Sequence, residues 1–122
     1  MNDFSYKKLI VWQKGMLLLK AIYVLTEKLP KGEEYILKSQ LRRAAVSVVS
    51  NIAEGSARKS IAERKRFYEI ARSSGIEIDA QLEVAVLLNY VTDLNCEETN
   101  GLLLEIFKML SKMVEDQEHR KL

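Results

Sequence analysis

Apolar residues recur every three or four positions along nearly the whole chain, and only three short segments interrupt them. The interruptions are Pro30-Lys31-Gly32, the stretch from Gly55 to Ser60, and the stretch from Tyr90 to Asn95. A segment with this period folds as a helix, and no stretch shows the two-residue alternation of a strand. Three breaks therefore leave four helices. Connections this short place consecutive helices side by side and antiparallel. The expected fold is all-α: one antiparallel up-down-up-down four-helix bundle, a single domain over residues 1–122.

Helix one is expected over about 8–29. It stops before Pro30, because proline disfavours helical torsions in the residue preceding it. Helix two is expected over about 33–54, with Leu37, Leu41, Ala44, Val48 and Ile52 on one face. Gly55 follows, where a left-handed C-terminal cap is expected. Helix three, about 60–90, opens on Ser60-Ile61-Ala62-Glu63, a capping-box pattern. It carries Phe67, Ala71, Ser74, Ile78, Leu82 and Ala85 on one face. Helix four, about 95–118, opens on Asn95 with Glu98 three residues on. It buries Leu103, Ile106, Leu110 and Met113.

Helix one is apolar on more than one side. Trp12, Met16, Leu19 and Tyr23 form one face, and Val11, Leu18, Ile22 and Leu25 form nearly the opposite one. A helix in a four-helix bundle buries one broad face, so the second needs cover. Self-association through Trp12, Leu18, Ile22 and Leu25 supplies it. Cover by helix four and the N-terminal segment of the same chain is the alternative.

Composition narrows the function classes. The single cysteine, Cys96, has no partner for an intramolecular disulfide and suits a reducing compartment. No apolar run is long enough to span a bilayer, and the first residues lack a signal-peptide layout. A cytoplasmic protein with no membrane partner is expected. His119 is the one histidine. No His or Cys spacing suits zinc, no glycine-rich loop cradles phosphate, and no base accompanies the serines. The expectation is a protein without catalytic residues, cofactor, metal or small-molecule substrate.

The net charge of +2 hides an uneven distribution. Residues 38–72 carry nine basic groups against three acidic ones, while residues 73–122 carry four against ten. The basic block spans helix two, the turn after it and the first half of helix three, and is expected to gather at one end of that hairpin. Clustered cations bind polyanions in a salt-dependent way, and arginine forks match phosphate geometry. The candidate nucleic-acid contacts are Lys38, Arg42, Arg43, Arg58, Lys59, Arg64 and Lys65. The alternative is a solvated face paired with nearby carboxylates. Ser47, Asn51 and Glu54 on helix two and Ser74, Glu77 and Gln81 on helix three recur at helical spacing. With Ala44, Ala45 and Gly75 they predict a close, hydrogen-bonded seam between the two helices, with Arg43 able to pair with Glu77.

The stretch Ser39-Gln40-Leu41-Arg42-Arg43-Ala44-Ala45-Val46-Ser47, continued by Asn51-Ile52-Ala53-Glu54-Gly55, resembles the signature of a bacterial four-helix-bundle family. Its members are encoded in intervening sequences within 23S rRNA genes and elsewhere, and are often labelled ribosomal proteins of that type. Val11-Trp12-Gln13-Lys14, Tyr23, Leu25-Thr26, Leu29-Pro30, Ser60, Glu63, Phe67, Ala71, Ser74 and Glu77 also match. The resemblance implies an up-and-down bundle assembled as a ring-shaped homopentamer. It also implies RNA or DNA binding through a positive surface, with Arg42 and Arg43 leading and Arg58, Lys59, Arg64 and Lys65 beside them. Related pentameric bundles are accessory factors of retroelement reverse transcriptases. The alternative function is therefore a scaffold that docks an acidic protein or a reverse-transcriptase-like partner. Gly15 departs from the family, where relatives carry Ala; a helix-interior glycine costs roughly 1 kcal/mol relative to alanine.

Overall fold

The computed structural model describes residues 1–120. It contains four helices, α1 (Ile10–Thr26), α2 (Leu37–Ala57), α3 (Ile61–Leu87) and α4 (Glu97–Arg120), and no strand among the described residues. Short 3-10 turns at Ser5–Lys8 and Lys31–Glu33 precede α1 and α2. α1 and α3 each pack on α2 and α4, while the diagonal pairs stay apart. The antiparallel up-down-up-down bundle expected from the apolar period is the observed architecture.

Its axis is filled by Leu18, Ile22, Leu41, Val48, Ile52, Ile78, Ile106 and Leu110, all fully buried. Each such side chain contributes roughly 1.5–3 kcal/mol by leaving water. Leu18, Ile22 and Leu25 of α1 belong to this core. This corrects their expected place at an oligomer surface: of the two apolar faces of α1, theirs is the inner one. Trp12 is half-buried, with the ring of Tyr6 edge-on to it at 5.0 Å, so the N-terminal turn covers part of the other face. What α1 leaves exposed is Ile10, Leu17 and Val24 at seven-residue spacing, with Met16 and Tyr23 beside them.

The helix ends differ in detail from the expected ones. α2 begins at Leu37, because Ile36 takes torsions of −119° and −95° that no helix continues through. α2 then runs on past Gly55 to Ala57, and no described glycine has a positive φ. The left-handed cap belongs to Asn89, at a φ of 62°. Tyr90 N donates to Ala85 O at 2.9 Å and Asn89 N to Val86 O at 3.0 Å, the paired bonds of a Schellman ending. Ser60 caps α3 as expected, accepting from Glu63 N. Asn95 does not cap α4. It closes a reciprocal pair with Thr92, in which each backbone N–H donates to the other's side chain at 3.0–3.1 Å.

α2 approaches both sequence neighbours closely. A β-carbon at Gly15 would stand 2.8 Å from Val49 Cγ1, so the absence of one lets α1 lie against α2. The helix propensity lost at this position is offset by that approach. A β-carbon at Gly55 would stand 2.7 Å from Tyr68 Cε1 and 3.0 Å from Phe67 Cβ. Along the α2–α3 contact Ser47 Oγ and Ser74 Oγ lie 2.8 Å apart, and Asn51 Nδ2 donates to Ser47 O and Oγ. This is the seam expected from the polar spacing. Gly55→Ala is expected to destabilise the protein by about 1–3 kcal/mol through overpacking against the buried Tyr68 ring. Urea denaturation of parent and variant checks it, and equal midpoints would show that the ring yields freely.

Candidate nucleic-acid interface

The topology splits the basic block into two groups. α2 rises about 1.5 Å per residue, so Lys38 and Arg58 stand roughly 30 Å apart along it. The expectation that the block gathers at one end of the hairpin is therefore corrected. Lys38 and Arg42 lie at the start of α2, beside the end of α1. Arg58, Lys59, Arg64, Lys65 and Arg66 lie at the other end, where α2 turns into α3.

The first group is occupied by internal bonds. Arg42 Nε donates to Thr26 Oγ1 at 2.9 Å, and its Nη2 reaches Glu27 Oε1 at 2.6 Å and Tyr23 O at 3.2 Å. Its guanidinium also lies over the Tyr23 ring, 4.3 Å from the centroid. Lys38, only 14% exposed, pairs with Glu34 at 3.2 Å and Glu27 at 3.7 Å. The hydrogen bond from Arg42, with the charges of Lys38 and Arg42, holds the Glu27 carboxyl below its ordinary pKa. Arg42 thus joins α1 to α2. Arg43, next to Arg42 in the first third of α2, is 72% exposed and 3.9 Å from Glu77, which is at most a weak surface pair.

The second group is more open. Ser60 starts α3 only three residues after α2 ends, and this tight turn brings the cations of both helices together. Arg58 pairs with Glu54 at 2.7 Å, and Arg64 Nε donates to Arg58 O at 2.6 Å. Lys65 pairs with Glu118 of α4 at 3.1 Å. Lys59, Arg64 and Arg66 make no ion pair among the described residues. Arg58 and Arg66 both lie over the Phe67 ring, at 5.0 and 5.6 Å. The antiparallel topology adds Lys7 and Lys8, since the chain enters α1 at this same end. Reading along the sequence missed these two lysines and Arg66; the signal was the strand-free up-down order, which puts the N-terminus beside the second turn. The acidic residues Asp79, Glu83, Asp93, Glu97 and Glu98 collect at the opposite end, on the second half of α3 and the start of α4.

Among the described residues no group of three His, Cys, Asp or Glu side chains is placed to hold a metal ion. No described helix is long and apolar enough to cross a membrane. His119 lies exposed near the end of α4, and Cys96 is buried, its thiol pushed up by desolvation.

The fold and this charged end define a helical-bundle protein with one basic pole. The chain belongs to the family of the 23S rRNA-intervening sequence protein, which it matches over residues 7–112. It is similar to a crystal structure of a protein with unknown function from the S23 ribosomal protein family of Bacteroides thetaiotaomicron VPI-5482. The TM-score is 0.79 at 25% identity, covering 86% of this chain and 98% of that one. No curated protein matches the chain.

Arg42→Ala is expected to lower stability by on the order of 1–2 kcal/mol, since it orphans the α1 groups that Arg42 satisfies. Because the folded pKa of Glu27 is depressed, its share of that stability exists above the ordinary carboxylate range and is lost as the pH falls through the lowered value. The gap between parent and variant is therefore expected to narrow in acid. Thermal denaturation across a pH series checks both points; a gap that widens in acid would contradict the assignment.

Proposed function

We propose that this protein is a non-enzymatic, self-associating bundle that binds RNA or DNA phosphates through the pole where α2 meets α3, without reading base sequence. The observation that carries the proposal is the cluster of Lys59, Arg64 and Arg66, without an ion pair among the described residues and flanked by Arg58, Lys65, Lys7 and Lys8. Each such cation displaces condensed counterions from a nucleic acid, which gives affinity that falls steeply with salt. Family membership favours the same proposal through its link to ribosomal RNA genes. Lys38 and Arg42 are left out of the contact set because their bonds tie them to Glu27, Glu34, Thr26 and Tyr23 of the chain itself. Arg43 is left out as well, since it stands beside Arg42, about 22 Å along α2 from Arg58.

Self-association is the second part of the proposal. Ile10, Leu17 and Val24 form an exposed apolar line along α1, and a second copy is the simplest cover for it. Five copies are the number that the family resemblance implies. A ring would repeat the basic pole, and avidity would raise a weak single-site affinity. A cytoplasmic setting belongs to the same proposal, since one buried, protonated thiol suits a reducing compartment.

One feature favours a second reading, an accessory scaffold that docks an acidic or reverse-transcriptase-like protein. Leu9, Ile10, Val11, Met109 and Met113 line an open apolar groove, with Lys8, Lys108 and Lys112 on its rim. That chemistry suits an apolar segment with acidic flanks.

Lys59→Ala with Arg66→Ala is expected to weaken binding of labelled RNA and duplex DNA about tenfold and to reduce the salt slope by about one per cation removed. The helical signal should be unchanged. Equal salt slopes for parent and variant would remove the basic pole from the mechanism. Leu17→Asp with Val24→Asp is expected to reduce the mass in sedimentation to that of one chain without unfolding it; an unchanged mass would move the interface elsewhere. A partner that survives nuclease treatment and is released by Met109→Asp would favour the scaffold.

A further inference from the structure

Aromatic rings and arginines alternate around the basic pole in a way that phosphate binding alone does not require. Phe4 is 62% exposed, and its ring lies 6.5 Å from that of Tyr6, tilted by 41°. Tyr6 in turn meets Trp12 edge-on. Phe4, Ser5 and Tyr6 form one wall of an open cleft of about 500 Å³, and Ala53, Glu54, Ser56, Ala57 and Arg58 of α2 form the other. That volume falls within the ~300–1,000 Å³ of small-ligand sites. Arg58 Nε is buried without a hydrogen-bond partner among the described residues, although the same guanidinium bonds Glu54 and covers Phe67.

We infer that this cleft takes an unpaired nucleobase, so that the pole selects single-stranded or looped nucleic acid over duplex. The inference rests on the proposed phosphate binding and names its substrate class. An exposed aromatic face beside cations is the arrangement on which single-stranded bases stack, and every base offers such a face. In a duplex those faces are already stacked on one another and unavailable. The Glu54 carboxylate on the cleft wall disfavours a phosphate inside the cleft, yet it accepts hydrogen bonds from base N–H groups. The phosphates then fall outside, toward Lys59, Arg64 and Arg66. Base in the cleft and backbone on the cations is one consistent pose for an unpaired nucleotide.

The test uses the full-length protein, a labelled single-stranded oligonucleotide and the corresponding blunt duplex, at one low salt concentration. The single strand is expected to bind about tenfold more tightly than the duplex, as stacking of one base allows. Phe4→Ala is expected to erase that difference while leaving duplex binding unchanged, and Phe4→Trp to retain it. Phe4 is exposed, so neither substitution threatens the core. Equal affinity of the parent for both forms overturns the inference and leaves the phosphate-binding proposal standing. Unchanged single-strand preference in Phe4→Ala also overturns it. Absence of binding to either form overturns the inference together with the proposed function.

Discussion

The close approach of α2 to both of its sequence neighbours sets the geometry on which the rest of the molecule depends. On one side the missing β-carbon of Gly15 lets α1 rest against Val49; on the other, that of Gly55 lets the Tyr68 ring lie against α2. The Ser47–Ser74 hydrogen bond sits between α2 and α3 at a separation that larger side chains would not permit. Interiors are packed to crystal-like density, so a clash of a few tenths of an ångström at either glycine is transmitted along the helix. Seating Tyr68 also seats Phe67 next to it, and Phe67 is the ring that Arg58 and Arg66 cover. The arrangement of the basic pole is thus a consequence of how tightly α2 and α3 meet.

Charge in this bundle serves two purposes, and the partners of each cation separate them. Arg42 and Lys38 face the Glu27 and Glu34 carboxylates, and Arg42 also donates to Thr26 in a part-buried bond and to the Tyr23 carbonyl. These are internal ties. The pairs Arg58–Glu54 and Lys112–Asp116 are exposed neighbours on single helices, worth about 0.3–0.5 kcal/mol. A polyanion displaces such weak partners easily. Lys59 and Arg66 have no ion pair to displace among the described residues, and Arg64 is held only by the Arg58 carbonyl. The net charge of +2 understates the pole, because Asp79, Glu83, Asp93, Glu97 and Glu98 enter the sum from the opposite end, too distant to cancel it in space, while Glu54 and Glu118 offset part of it at the pole itself.

The apolar surface divides in a similar way. The inner face of α1 is consumed by the core, and the N-terminal turn lays Tyr6 on Trp12. The outer line of Ile10, Leu17 and Val24 and the methionine-lined groove beside it remain uncovered within one chain. Burying them against another molecule is favourable at about 25 cal/mol per Å² of apolar surface. Lys7 and Lys8 of the basic pole end one residue before α1, and the apolar line begins at its first residue, Ile10, so the two surfaces adjoin at the entry to α1.

The four helices, their antiparallel order, the capping of α3 by Ser60 and the polar seam were legible in the order of the amino acids, because each follows from local period or from spacing within one hairpin. Packing in three dimensions decided which apolar face of α1 turns inward, since both Leu18 and Leu17 sit on apolar arcs and only contact with the other helices chooses between them. It also decided that Gly55 serves close approach and not a left-handed cap, a role taken by Asn89, because nothing local distinguishes a glycine in a helix from one ending it. And it decided which cations are free. Arg42 and Lys59 look alike in one dimension; Thr26, Tyr23 and Glu27 reach Arg42 only after the chain reverses at Pro30. Partners supplied across a turn are set by three-dimensional distance, which no spacing along the chain records.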